Sequence, residues 1–263
     1  MKYSCNSYHD YEQCFVPALF GPWSEFLVSK VMGAGPWPNQ TSMLDVACGT
    51  GIVARTALSI NPNVEVSGVD SDPDMLGIAS SILPQSNWCL ADGASLPFPD
   101  DHFDYALNQF GLMFFENPQA SIREMVRVTK SGGKIGIAVW GRLSETPAYS
   151  NVLKALTDYL SIESLEFLYA PYSLSDHETL RDLMNSAEIK DFQIQKVDRP
   201  VSFESIEQWL GTEFRYLFES DAVTGKSYYD FYQQATEQLD QYVQFNGSIS
   251  FNKPANIVSL DVR

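Results

Sequence analysis

From residue 42 to residue 140 the chain switches regularly between two hydrophobic periods. "SMLDVAC" is an unbroken apolar run that stops at glycine, the pattern of a strand buried on both faces. Ile52 to Ile60 then carries apolar residues at helical spacing until "NPN" breaks it, and "VEVSGVD" reads as a second strand. "SDPDMLGIASSIL" opens a helix through Ser71, Asp72 and Pro73, with Asp74 placed to complete a capping box. "NWCLAD" and "FDYALNQF" read as strands three and four, separated by the turn-rich "SLPFPDDH". Pro118 starts a helix in which Ile122, Met125, Val126 and Thr129 share a face, and "KSGGK" turns into a fifth strand, "KIGIAVW". Strands alternating with helices predict an α/β fold: a parallel sheet with right-handed crossovers and helices on both faces. A ligand belongs at the carboxyl ends of such strands.

The flanks follow other rhythms. The first forty residues read as two short aromatic-rich helical pieces ending in the breaker cluster "GAGPWPNQTS". From Glu145 to Lys190 the pattern is mostly helical, with a capping box at Ser175 and Glu178. "DFQIQKVDRPVSF" resembles a further strand, Tyr228 to Val243 an amphipathic helix through Phe231, Ala235, Leu239 and Tyr242, and "NIVSLDVR" a last strand. The expected organisation is an N-terminal helical lid (1–40), a nucleotide-binding core (41–142), a helical substrate cap inserted after strand five (143–190), and the remaining helices and last core strands (191–263).

Chemistry enters at "MLDVACGTGIVAR". Gly49, Gly51 and Ala54 satisfy the G-x-G-x-x-G/A turn that cradles a dinucleotide pyrophosphate, and Asp70 follows at the distance of a ribose-binding carboxylate. NAD and S-adenosylmethionine (SAM) share that adenosine half. Three neighbours favour SAM, whose sulfonium suits acidic or aromatic surroundings. Asp45 puts an acidic residue where a pyrophosphate would be repelled. Asp92 ends strand three beside Gly93, where it can accept from an adenine amine, and Met75 offers a soft side chain to the ring. Asn108 and Gln109 at the end of strand four are amides too costly to bury unpaired, and contact with cofactor or substrate would satisfy them.

The segments "LDVACGTG", "GVDSDPDML", "ADGASLPFPDDHFD" and "REMVRVTKSGGKIGIAVW", in that order and spacing, resemble the class I SAM-dependent methyltransferases. The branch is the one that includes the ubiquinone/menaquinone-biosynthesis C-methyltransferases and many small-molecule relatives. The resemblance spans residues 42–140. It implies a Rossmann-like, seven-stranded, mostly parallel sheet whose last strand is antiparallel, and SAM as cofactor. It further implies that the turn at Ala47, Cys48, Gly49 and Gly51 lies along the methionine part of SAM. Asp70 would bind the ribose, Met75 would stack on adenine, Asp92 and Gly93 would face its amine, and Asn108 would border the methyl group. The implied reaction moves that methyl to an N, O or C atom of a small molecule by in-line displacement, which needs alignment more than acid–base help.

Outside the resemblance the signals thin. Tyr8, His9, Asp10 and Tyr11 fall in a short N-terminal helix that can fold over the cofactor, and His9 or Asp10 would be the base if the acceptor needs one. Tyr8, Tyr11, Phe20, Gln109, Phe110, Phe114 and Trp140 are candidates for a substrate pocket, with "GLMFF" as its wall. His102 and His177 read as a solvated turn and a helix start. Cys48 reads as a small packing residue rather than a nucleophile.

Seventeen Lys and Arg against thirty-three Asp and Glu leave a net charge of −16, which repels a phosphate backbone and argues against nucleic acid as substrate. There is no metal-ligand spacing among the four cysteines, no signal-like N-terminus and no apolar run long enough to span a membrane. A cytoplasmic monomer or homodimer with reduced thiols is the expectation. A SAM-binding sensor without catalysis, or an NAD-dependent oxidoreductase, remains open on the residues alone.

Overall fold

The computed structural model describes residues 11–33, 35–38, 40–221 and 227–263. A π-helical segment, Tyr11–Phe20, leads into α1 (Gly21–Met32). The core then alternates as the apolar pattern predicts: β1 (Ser42–Val46), α2 (Ile52–Ile60), β2 (Glu65–Asp70), α3 (Pro73–Ile82), β3 (Asn87–Leu90), β4 (Phe103–Gln109), α4 (Pro118–Val128) and β5 (Thr129–Trp140). Next come α5 (Pro147–Leu156), α6 (Ile162–Tyr169), α7 (His177–Ser186), β6 (Gln193–Phe203), α8 (Ile206–Asp221), α9 (Tyr228–Leu239) and β7 (Ile249–Asp261).

The seven strands lie in the order β3-β2-β1-β4-β5-β7-β6. β1 to β5 are parallel to one another, and β7 runs antiparallel to both β5 and β6. The long register of β7, Trp140↔Ala255 through Lys134↔Asp261 with β5 and Phe203↔Ile249 through Gln193↔Ser259 with β6, starts well before "NIVSLDVR". Pro200 is tolerated in β6 because β6 is an edge strand, where a missing N–H costs no ladder bond. Chain order reverses between β1 and β4, so the crevice for a ligand opens at their carboxyl ends.

Two apolar cores form. One packs α1, α2, α4 and α7 against the sheet through side chains such as Trp23, Leu44, Leu107, Ile137 and Ile257. The second gathers Tyr149, Leu153, Trp209, Phe214 and Phe231 from α5, α8 and α9 around Phe203, Ile249 and Phe251, where β6 and β7 run past the end of β5. Two helix starts differ from the sequence expectation. Asp72, not Ser71, caps α3 by accepting from the Asp74 and Met75 amides, and Asp176, not Ser175, caps α7 by accepting from the Glu178 amide. In both cases the aspartate occupies the last extended position before the helix, where its short carboxylate reaches the first free N–H groups.

Candidate active site

The site is built on the turn that leaves β1. Ala47 has φ 55°, and Gly51 caps α2 at φ 83° in the left-handed region. A Cβ on Gly51 would also lie 2.8 Å from the Trp88 ring, so glycine is needed for both backbone and space. The Asp70 carboxylate at the end of β2 braces the turn: Oδ2 accepts from the Gly49 amide at 2.7 Å and Oδ1 from the Asp72 amide at 3.0 Å. Burial raises the Asp70 pKa, and these amide bonds oppose the rise.

Beside the turn lies a cavity of about 170 Å³ lined by Ala47, Asp70, Ser71, Asp92, Gly93 and Phe115 among others. Asp92 accepts from the Ala94 amide at 2.8 Å, an Asx turn that fixes the loop after β3. Gly93 lies against Phe115, whose ring would be 2.6 Å from a Cβ there. Met75 is half-buried and stands outside that lining.

Asn108 differs from expectation. It is fully buried, but its Nδ2 donates to the Val46 carbonyl at 2.9 Å and its Oδ1 accepts from the Leu112 amide at 2.9 Å. The amide therefore has its partners within the protein and ties the end of β1 to the turn after β4, bordering neither cavity. Gln109 donates from Nε2 to the Phe20 carbonyl at 3.1 Å and anchors the π-helical segment outside the lining of the two cavities, while its buried Oε1 has no hydrogen-bond partner among the described groups.

Asp45 also departs from its simple reading. Both carboxyl oxygens are buried outside hydrogen-bonding geometry with any described group. Burial above all, helped by the charge of Asp70, pushes its pKa up to about 8, and the nearby Ala54 amide offsets only part of that. Asp45 is therefore mostly protonated at neutral pH, and a fixed charge repelling pyrophosphate is not what it supplies. A buried, unpartnered carboxyl beneath a nucleotide-binding turn instead suits a cationic ligand, which would favour its ionised form. Cys48 is buried and its thiol is pushed well above its usual range, as befits a packing residue.

A second cavity, of about 240 Å³, adjoins the first and shares Phe114 with it. Tyr11, Phe20, Phe110, Phe114 and Trp140 all line it. Phe110 stacks on Trp140 with ring centroids 3.6 Å apart, and Tyr11 stacks on Phe20 at 5.4 Å. The Tyr11 hydroxyl lies 3.9 Å from where a Cβ on Gly49 would stand, so this residue links the aromatic cavity to the glycine turn. The Arg55–Glu12 ion pair at 2.5 Å fastens the π-helical segment to α2. Tyr8, His9 and Asp10 lie outside the described residues. His102 is exposed against Phe98 and Phe103, and His177 bonds to Asn256 at 2.8 Å; neither lines the two cavities.

The polar part of the aromatic cavity, Tyr149, Tyr172, Glu213 and Lys253, was not singled out from the sequence. A signal existed: Ile249, Phe251 and Lys253 share one face of β7, so Lys253 stands at a core position of the strand period. Glu213 similarly falls one turn from both Trp209 and Leu217 on the buried side of α8.

This strand order with a reversed β7, the left-handed glycine turn after β1 and the carboxylate ending β2 define the frame of a class I SAM-dependent methyltransferase. The family described as "Methyltransferase domain" matches residues 44–137. The sequence is 32% identical over 178 residues, 62% of this chain and 68% of the relative, to the ubiquinone/menaquinone biosynthesis C-methyltransferase UbiE of Bordetella avium. Among solved structures, YcgJ of Bacillus subtilis superposes with a TM-score of 0.57 at 22% identity, over 90% of this chain and 97% of that one. The SAM complex of Haemonchus contortus phosphoethanolamine N-methyltransferase 2 gives a TM-score of 0.62 at 17% identity, over 100% of this chain and 58% of that one. Those two likenesses concern the fold. The chain belongs to the family of ubiquinone/menaquinone-biosynthesis C-methyltransferases. It is a SAM-dependent small-molecule methyltransferase, and the oxidoreductase alternative falls away. Among the described residues no helix is long and apolar enough to cross a membrane.

Proposed function

We propose that the enzyme methylates a carbon atom of a small, flat, largely apolar acceptor of the kind that precedes a quinone. The observation that carries this reading is the aromatic-walled cavity of about 240 Å³ that meets the cofactor-side cavity at Phe114. The relative from Bordetella avium, named for C-methylation in ubiquinone and menaquinone biosynthesis, points the same way. When bound, SAM supplies an electrophilic methyl group on a sulfonium. In this reading Ala47, Cys48, Gly49 and Gly51 follow its methionine part, Asp70 takes the ribose hydroxyls, and Asp92 and Gly93 face the adenine. Asp45 supplies negative charge under the turn once a cation is near. Tyr11, Phe20, Phe110, Phe114 and Trp140 hold the acceptor flat and keep water out, and such alignment is worth up to about 7–11 kcal/mol of the barrier in well-oriented reactions.

The test is to incubate the protein with SAM and two acceptor sets, demethylated quinols and small primary amines. The expected outcome is S-adenosylhomocysteine released with the quinols, with the new methyl on a ring carbon by NMR. Release with the amines alone, or methyl found on oxygen, would refute the carbon-acceptor reading.

A further inference from the structure

The aromatic cavity has a charged corner that the reading above leaves unused. Lys253 from β7 is 3% exposed. Its Nζ donates to the Tyr172 hydroxyl at 2.7 Å and lies 3.6 Å from the Tyr149 ring centroid and 4.6 Å from that of Trp140. Glu213 from α8 accepts on a single oxygen, Oε2, from the Tyr149 hydroxyl at 2.8 Å and the Trp209 indole N–H at 2.7 Å. All four of Tyr149, Tyr172, Glu213 and Lys253 border the same cavity.

Holding a lysine and a glutamate away from water is costly unless the geometry repays it, and apolar residues of like volume usually pack as well. Such a pair on the wall of a substrate cavity is a candidate for chemistry. The groups facing Lys253 are Glu213 from α8, Tyr149 from α5, Tyr172 from the turn after α6, and Trp140 from β5. Burial pushes Lys253 down to about 7, and the charge of Glu213 keeps it from falling further. Burial raises Glu213, opposed by Lys253 and by the two hydrogen bonds on Oε2. Both phenols are pushed well above their ordinary range by burial, so they keep their protons. Tyr172 accepts from Lys253 and retains its own O–H to donate.

We infer that Lys253, oriented by Tyr172 and counter-charged by Glu213, receives the proton of an acidic hydroxyl, phenolic or enolic, on the acceptor bound in this cavity. The inference rests on the carbon-acceptor reading and deepens it by naming the base and the functional group it serves. In the step the substrate O–H bond breaks, its electron pair stays on oxygen, and the proton forms an N–H bond on the neutral Lys253 amine. The new ammonium stands beside the oxyanion with Glu213 as its counter-charge. A phenolate or enolate spreads that charge onto the carbon conjugated with the oxygen, which makes the carbon a nucleophile. An amine or an isolated alcohol would gain nothing comparable from this corner.

The probe is 4-nitrophenol, whose phenol and phenolate forms absorb at different wavelengths. Titrated with wild-type protein across mildly acidic to neutral pH, it is expected to appear as phenolate about one pH unit below its free-solution transition, the size of effect an adjacent cation produces. Lys253→Met is expected to abolish that shift. Tyr172→Phe, which leaves the lysine buried, is expected to reduce the shift without abolishing it, and it serves if Lys253→Met does not fold. A wild type that leaves the probe at its free-solution transition overturns the inference. So does a folded Lys253→Met protein that still shifts it, or a Tyr172→Phe protein identical to wild type. Calorimetric titration of SAM checks that the variant keeps its cofactor site: equal affinity in wild type and Lys253→Met is expected. A wild type that shifts the probe but methylates only the small primary amines overturns the carbon-acceptor reading and leaves the assignment of Lys253 standing.

Discussion

Asp45 carries a charge state that only burial determines. Burial moves its carboxyl from 3.8, the value of an exposed aspartate in the unfolded chain, up to about 8 in the folded protein. Between those values the folded state binds more protons than the unfolded state, so its contribution to stability falls as pH rises through that window. Asp45→Asn removes the titration. Relative to the variant, the wild type is expected to lose up to about 1.4 kcal/mol per pH unit across the window, read as diverging denaturation midpoints from pH 5 to 8. Parallel midpoints would mean that Asp45 is ionised throughout. A cationic ligand stabilises the ionised form, so SAM affinity should also rise with pH in the wild type and stay flat in the variant. Asp70 was legible in the sequence because its place at the end of β2 follows from local pattern. Asn108 was not, because its partners, the Val46 carbonyl and the Leu112 amide, meet it only once β1 and the turn after β4 lie side by side.

At the scale of elements, the glycine turn works because α2 begins in a left-handed conformation under the Trp88 ring. Gly51→Ala strains a φ of 83° and drives a Cβ to 2.8 Å from that ring. A loss of about 1–3 kcal/mol in stability, with weakened SAM binding, is expected. Gly77, on the exposed side of α3, has no atom within 4 Å of a would-be Cβ and no positive φ. Gly77→Ala should therefore stabilise by about 0.5–1 kcal/mol through helix propensity alone. Thermal melts of the two variants check both signs at once, and a neutral Gly51→Ala would show that the turn relaxes without strain. The strands and helices of residues 42–140 were readable because each is a local period bounded by glycine, proline or a cap. The length of β7 was less so: Phe251, Lys253 and Pro254 extend a strand that only pairing with β6 makes continuous.

Over the whole molecule the buried side chains of the sheet core and of the helical core are different sets, bridged by half-buried Phe20 and Tyr172, and Trp209 is fully buried in the second. Trp209→Ala is expected to cost about 3–5 kcal/mol, and it also takes a donor from Glu213. Hydrogen exchange should then show α5, α8 and α9 opening before β1, β4 and β5 do. Uniform loss of protection would mean that the two cores unfold as one. The apolar periods, the glycine turn, Asp70 and four motifs in register determined the fold class and the cofactor, since these features act between residues close in sequence. The tertiary structure alone decided the aromatic cavity, whose wall joins Tyr11, Trp140, Glu213 and Lys253. It likewise decided the protonation of Asp45 and Lys253, because distant segments must pack before they can remove water from a charge.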